Sequence, residues 1–119
     1  KRDRYAIGEK TQTELVGRPV AGRTYDFAPV IGVFLKEHLF GDIFERDILN
    51  RQERELATVG ALAGIGNVNA QLTSHMRVSM NTGISAEQLQ ETVRLLDKKA
   101  GPATGSNAQR VLDSLLLQK

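Results

Sequence analysis

Residues Arg51–Gly83, RQERELATVGALAGIGNVNAQLTSHMRVSMNTG, read as two helices joined by a short bend. Stepping about 100° per residue from Leu56 gathers Val59, Gly60, Leu62 and Ala63 on one side of the first helix. Glu55 falls between Leu62 and Val59 on that same side. On the second helix Leu72, Met76, Val78 and Ser79 share a side, and His75 lies among them. Each helix therefore aims one ionisable side chain into an apolar seam. A carboxylate and an imidazole brought together there are the minimal equipment for proton transfer.

Outward from this pair the chain keeps a helical rhythm. Asn50 with Glu53 resembles a capping box at the start of the first helix, which gives Glu53 a local role and leaves Glu55 without one. Gly64, Gly66 and Asn67 close that helix, and the second spans about Asn69–Thr82 and ends at Gly83. Ser85 with Gln88 forms another capping box, followed by a stripe of Leu89, Val93 and Leu96. The segment Lys98–Gly105, KKAGPATG, is expected to break the pattern before a last amphipathic helix with Ala108, Val111, Leu112, Leu115 and Leu116 inward. Met76 and Met80, one turn apart, read as packing residues.

Upstream, residues 1–25 form a polar arm with one short helix from about Ala6 to Val16, broken by Gly17, Pro19 and Gly22. Asp26 is expected to cap a helix with Pro29 in its first turn. Val30, Ile31, Phe34, Leu35 and Leu39 then give a stripe that closes at Gly41, with His38 at its C-terminal end, where an imidazole suits the helix dipole. Phe40–Leu49 reads as a connector with a turn of helix. No stretch alternates with period two, so the expected fold is all-α, a bundle of about five to six helices.

At 119 residues the chain is expected to be one domain, 1–119. Hydrophobic residues make up 40% and charged residues 25%, which is ordinary globular usage. Sixteen basic against fourteen acidic side chains leave a net charge of +2, too weak a field to steer nucleic acid, and no basic cluster is interleaved with aromatics. No apolar run is long enough to cross a bilayer. The chain has no cysteine, which removes disulfides, thiolate nucleophiles and dithiol redox chemistry. Two histidines far apart in sequence make a metal site unexpected, and no glycine-rich loop between strand and helix supports a nucleotide cofactor. A cytoplasmic location is expected. The sequence starts at Lys1 without an initiator Met, so an exported form stays open.

The run Phe40–Val93 resembles the carboxymuconolactone decarboxylase family, which shares its fold with the AhpD-like alkylhydroperoxidases. The resemblance is carried by Arg54–Leu56, the alanine-rich helix, Gln71–His75 (QLTSH) and the turn NTGIS before the next helix. Weaker matches reach back to about Gly8, and residues 40–96 hold the core motif. The resemblance implies an AhpD-like helical bundle assembled into trimers or hexamers, with Glu55 and His75 at the family's glutamate and histidine positions. Its redox branch carries two cysteines where this chain has Val68 and Gln71, so peroxide reduction through a dithiol is excluded. Its decarboxylase branch removes CO₂ from carboxymuconolactone and carries a second histidine and a tyrosine where this chain has Leu95 and Lys99.

The expected function is that of a cofactor-free carboxy-lyase acting on a small carboxylated lactone or related acid. Glu55 and His75 are its catalytic candidates, and Arg54, Arg77 and Gln71 the candidates for holding substrate. A guanidinium forks to two carboxylate oxygens, which suits either arginine to that task. Two other readings stand beside it. Glu55 could bind an arginine that ties helices together, and Arg77 could lie on a solvated or subunit-facing surface. With Leu95 and Lys99 in place of polar groups, the chain would then be a non-catalytic oligomeric binding module for a small apolar acid or, if the pocket is closed, a purely structural assembly. Short helices with alanine- and methionine-containing faces favour a homo-oligomer on either reading.

Overall fold

The computed structural model describes residues 1–118. Its helices run in the order α1 (Arg4–Val16), α2 (Arg23–Phe27), α3 (Pro29–Phe34), a π-helix (Leu35–Ile43), α4 (Arg51–Ile65), α5 (Asn69–Asn81), α6 (Ala86–Ala100) and α7 (Pro102–Leu117). No strand occurs among the described residues, so the fold is all-α. The helices are somewhat more numerous than the five or six expected, because short α2 and the π-helix do not stand out in the sequence pattern. No described helix is long and apolar enough to cross a membrane. The chain divides into two compact units, one spanning Lys1–Asn50 and one beginning at Arg51.

The C-terminal unit is built on two helical hairpins, α4–α5 and α6–α7. Gly66 and Asn67 turn the chain after α4, with φ of 75° and 57°. Both tolerate the left-handed region, glycine for want of a Cβ and asparagine through its short polar side chain. The Ser85–Gln88 capping box is present: Gln88 N–H donates to Ser85 Oγ at 3.1 Å and Ser85 N–H donates to Gln88 Oε1 at 2.9 Å. The helical stripes then meet in one core containing Val59, Leu72, Met76, Leu89, Val93 and Leu112, with Leu56, Leu62, Leu96 and Leu116 packed at its edge. A buried aliphatic side chain of this kind contributes about 1.5–3 kcal/mol.

The expected break over Lys98–Gly105 shrinks to one residue. α6 continues to Ala100, Gly101 turns the chain at φ 104°, and Pro102 opens α7 where its missing N–H has no partner to lose. Gly105 lies inside α7, where a Cβ would overlap the Asp97 side chain and stand 2.6 Å from Asp97 Cα. This glycine permits close approach of two helices and does not end either.

In the N-terminal unit α1 starts at Arg4, two residues before the expected position, because Asp3 Oδ1 accepts the Ala6 N–H at 3.0 Å. Asp26 is not a cap. It sits inside α2, and Ala28 precedes Pro29 at the start of α3. Nor does Gly41 close the next helix: α3 runs without interruption into the π-helix, and Phe44 N–H reaches Leu39 O at 2.9 Å. The reason lies in packing. A Cβ on Gly41 would overlap Arg4 O of α1, and one on Gly8 would overlap Lys36 O of the π-helix. Two facing glycines let these helices come into backbone contact. Of the stripe over Val30–Leu39, Val30, Ile31 and Phe34 are exposed, Phe34 at 62%. His38 lies within the π-helix, exposed, with its ring 5.1 Å from that of Phe34.

Lys36 ties the two helices from the side. Its Nζ donates to Glu9 Oε1 at 2.7 Å and to Tyr5 Oη at 3.1 Å. The hydrogen bond to Glu9, then that to Tyr5, holds the ammonium above its ordinary 10.5 against an opposing effect of burial. A folded-state value above the unfolded one means this stabilisation is full below 10.5 and fades as pH rises through the raised value. Lys36→Met should therefore melt below the native chain near neutral pH. The gap should narrow in strongly alkaline buffer, as followed by far-UV circular dichroism.

Candidate functional site

Glu55 points inward because of its register on α4. Glu55, Val59 and Ala63, at four-residue spacing, are the buried residues of that helix. On α5 the buried residues are Leu72, Met76 and Ser79, and His75 stands at the edge of that face. The two helices pack against each other, and His75 Nδ1 meets Glu55 Oε2 at 2.7 Å. Glu55 is 1% exposed as a residue, whereas the His75 side chain keeps 35% of its surface open. The pair thus has a buried acid end and a half-open imidazole end.

This arrangement sets the proton inventory. With the carboxylate ionised, Glu55 can only accept, and the shared hydrogen is that of His75 Nδ1. The other ring nitrogen, Nε2, is then a base in the neutral ring and an acid in the cation. A carboxylate this deeply buried is costly unless bonded, and the imidazole N–H supplies such a bond.

Ser79, one turn beyond His75, completes the local frame. Its Oγ donates to the His75 carbonyl oxygen at 2.8 Å, and Thr82 Oγ1 in turn donates to Ser79 O at 2.6 Å. Sequence periodicity places Ser79 on the inner face without giving it a task. Its four-residue spacing from His75 is the signal that points to this back-bond.

The remaining candidates are spread more widely. Arg54 is half-buried on α4 next to Glu55, and its carbonyl accepts from Thr58 Oγ1 at 2.9 Å. Gln71 is exposed on α5, one turn before His75. Arg77 is exposed, and its Nη2 donates to Gln118 Oε1 at 2.7 Å near the end of α7. Leu95 and Lys99 both lie exposed on α6. Among the described residues no three His, Cys, Asp or Glu side chains gather where they could hold a metal ion.

An all-α chain in which a buried glutamate bonds a half-open histidine, with no thiol anywhere, defines a thiol-free helical protein with an acid–imidazole pair. The chain belongs to the carboxymuconolactone decarboxylase family, whose sequence pattern matches residues 31–112, beyond both ends of the stretch 40–96. It is also similar to a 4-carboxymuconolactone decarboxylase of Acinetobacter baylyi (strain ATCC 33305 / BD413 / ADP1). The two are 25% identical over 116 residues, covering 94% of this chain and 86% of that protein.

Proposed function

We propose that the protein is a cofactor-free carboxy-lyase acting on a small carboxylated lactone, in the manner of a 4-carboxymuconolactone decarboxylase. The observation that carries this reading is the 2.7 Å contact between Glu55 and His75. In the reaction the bond between the substrate carboxylate and its ring carbon breaks and CO₂ leaves. The electron pair stays on the lactone as a dienolate. The His75 imidazolium gives its Nε2 proton to carbon, and water restores it. Glu55 holds the ring by Nδ1, with its carboxylate set against the positive charge of the cation that donates. Arg54, neighbour of Glu55 in sequence, is assigned to the substrate carboxyl groups, with Gln71 one turn from His75 as a further polar contact. Arg77 would have to leave Gln118 to join them.

A second reading is supported by α6, where Leu95 is 56% exposed and Lys99 stands at the other position the family's decarboxylases fill with a polar group. On that reading the chain is an oligomeric binding module for a small apolar acid. The test is release of CO₂ from 4-carboxymuconolactone and related carboxylated lactones, with and without the protein. Acceleration over buffer supports the lyase; binding without release supports the module.

Either reading includes a homo-oligomer, a trimer or hexamer, in which neighbours cover exposed apolar residues such as Phe27, Val30, Phe34 and Ile48. Equilibrium sedimentation should give particles several times the 13.1 kDa chain mass, and only monomers would contradict assembly.

A further inference from the structure

The N-terminal unit leaves an apolar face open around α3. Phe27 is 93% exposed, Val30 72%, Phe34 62% and Ile31 42%, and no ionisable residue occurs from Phe27 to Leu35. With about 150–200 Å² for each such side chain fully exposed, these fractions leave roughly 500 Å² open. An apolar patch of that size on one small unit marks a contact with another molecule.

Charge, area and spacing together say what covers it. Over residues 1–50 basic and acidic side chains are equal in number, so the unit offers no net field to nucleic acid or to anionic lipid headgroups. The same balance imposes no repulsion between copies of the chain. Pairing the face with an identical one buries roughly 1,000 Å² in all, which reaches the threshold for a specific interface, and buries no charge with it. α3 passes directly into the π-helix, where Val30, Phe34 and His38 follow at four-residue spacing. Phe34 and His38 share a side, their ring centroids 5.1 Å apart. The row is symmetric about Phe34, with one residue on either side, and Phe27 at the end of α2 flanks it. Antiparallel pairing about a twofold axis therefore sets Phe34 against Phe34 and Val30 against His38 at both ends, the self-complementarity that a twofold contact requires. We infer that the face of α3 and the π-helix is a twofold contact between two copies of this chain, centred on Phe34. It gives a face and a symmetry to the homo-oligomer proposed above, and it rests on that assembly and not on the lyase chemistry.

The chain has no cysteine, so one introduced thiol reports one position. Under mild oxidation Phe34→Cys should join two chains by a disulfide at least about tenfold faster than Lys10→Cys, an exposed position on α1, because pairing raises the local thiol concentration. A mixture of Val30→Cys and His38→Cys should link one variant to the other in preference to either with itself. Phe34→Asp should halve the particle mass in equilibrium sedimentation and leave the far-UV circular dichroism unchanged, since that side chain lies mostly outside the packed interior. Equal rates for Phe34→Cys and Lys10→Cys, preferential self-linking of Val30→Cys and of His38→Cys, or an unchanged mass for Phe34→Asp would each overturn the inference. A native particle of several chains would then preserve the assembly and remove only this face, whereas a native monomer would remove both.

Discussion

His75→Ala should slow release of CO₂ from a carboxylated lactone by about 10²- to 10⁴-fold, the usual contribution of a positioned general acid. The loss should fall on kcat more than on KM, because Nε2 acts on the dienolate and not on the resting substrate. Glu55→Gln should also lower kcat while keeping side-chain volume. A glutamine presents an N–H₂ as readily as an oxygen, so the imidazole loses the partner that fixes its tautomer and orientation. That variant should lose stability too, since a hydrogen bond to a charged group contributes about 1.5–3 kcal/mol. Equal CO₂ release by the native chain and His75→Ala would remove the imidazole from the reaction.

The second large effect is structural. Gly8→Ala places a methyl group onto the Lys36 carbonyl oxygen, and backbone cannot swing aside as a flexible side chain can. α1 and the π-helix must separate, also opening the facing approach of Gly41 to Arg4. The expected cost is on the order of 3 kcal/mol, at the upper end for overpacking. Both tyrosines, Tyr5 and Tyr25, lie in the N-terminal unit and the chain has no tryptophan, so tyrosine fluorescence reports this unit alone. Its thermal transition should fall by more than about 10 °C. Gly60→Ala provides the opposite case. Nothing lies within 4 Å of a Cβ there. In the middle of α4, alanine should stabilise by about 0.5–1 kcal/mol. A Gly8→Ala chain that melts like the native one would refute the close approach of the two helices.

Local pattern carries part of this fold and misses the rest. The phases of Glu55 against Val59, and of His75 against Leu72 and Met76, are local properties of single helices, and helical periodicity expresses them directly. The Ser85–Gln88 box is local as well. Glycine often ends helices, so Gly41 and Gly105 look like breaks in sequence; both sit in continuous helix, and their purpose depends on a neighbour that local pattern does not reveal. The exposed stripe of Val30, Ile31 and Phe34 fails in the same way. Periodicity finds an apolar face but does not say what covers it. Asp26 failed for a smaller reason, since α2 is a five-residue helix without an apolar stripe to announce it.

The proposed chemistry requires Glu55 to hold His75 through Nδ1 so that Nε2 is free to exchange its proton with substrate. Nitrogen-15 NMR of histidine-labelled protein measures this directly, and His38→Asn leaves His75 as the only signal. The neutral ring should show Nδ1 protonated, with a strongly downfield proton from the short bond to Glu55, and Glu55→Gln should abolish that proton signal. A native spectrum dominated by the Nε2–H tautomer, unchanged in Glu55→Gln, would contradict it.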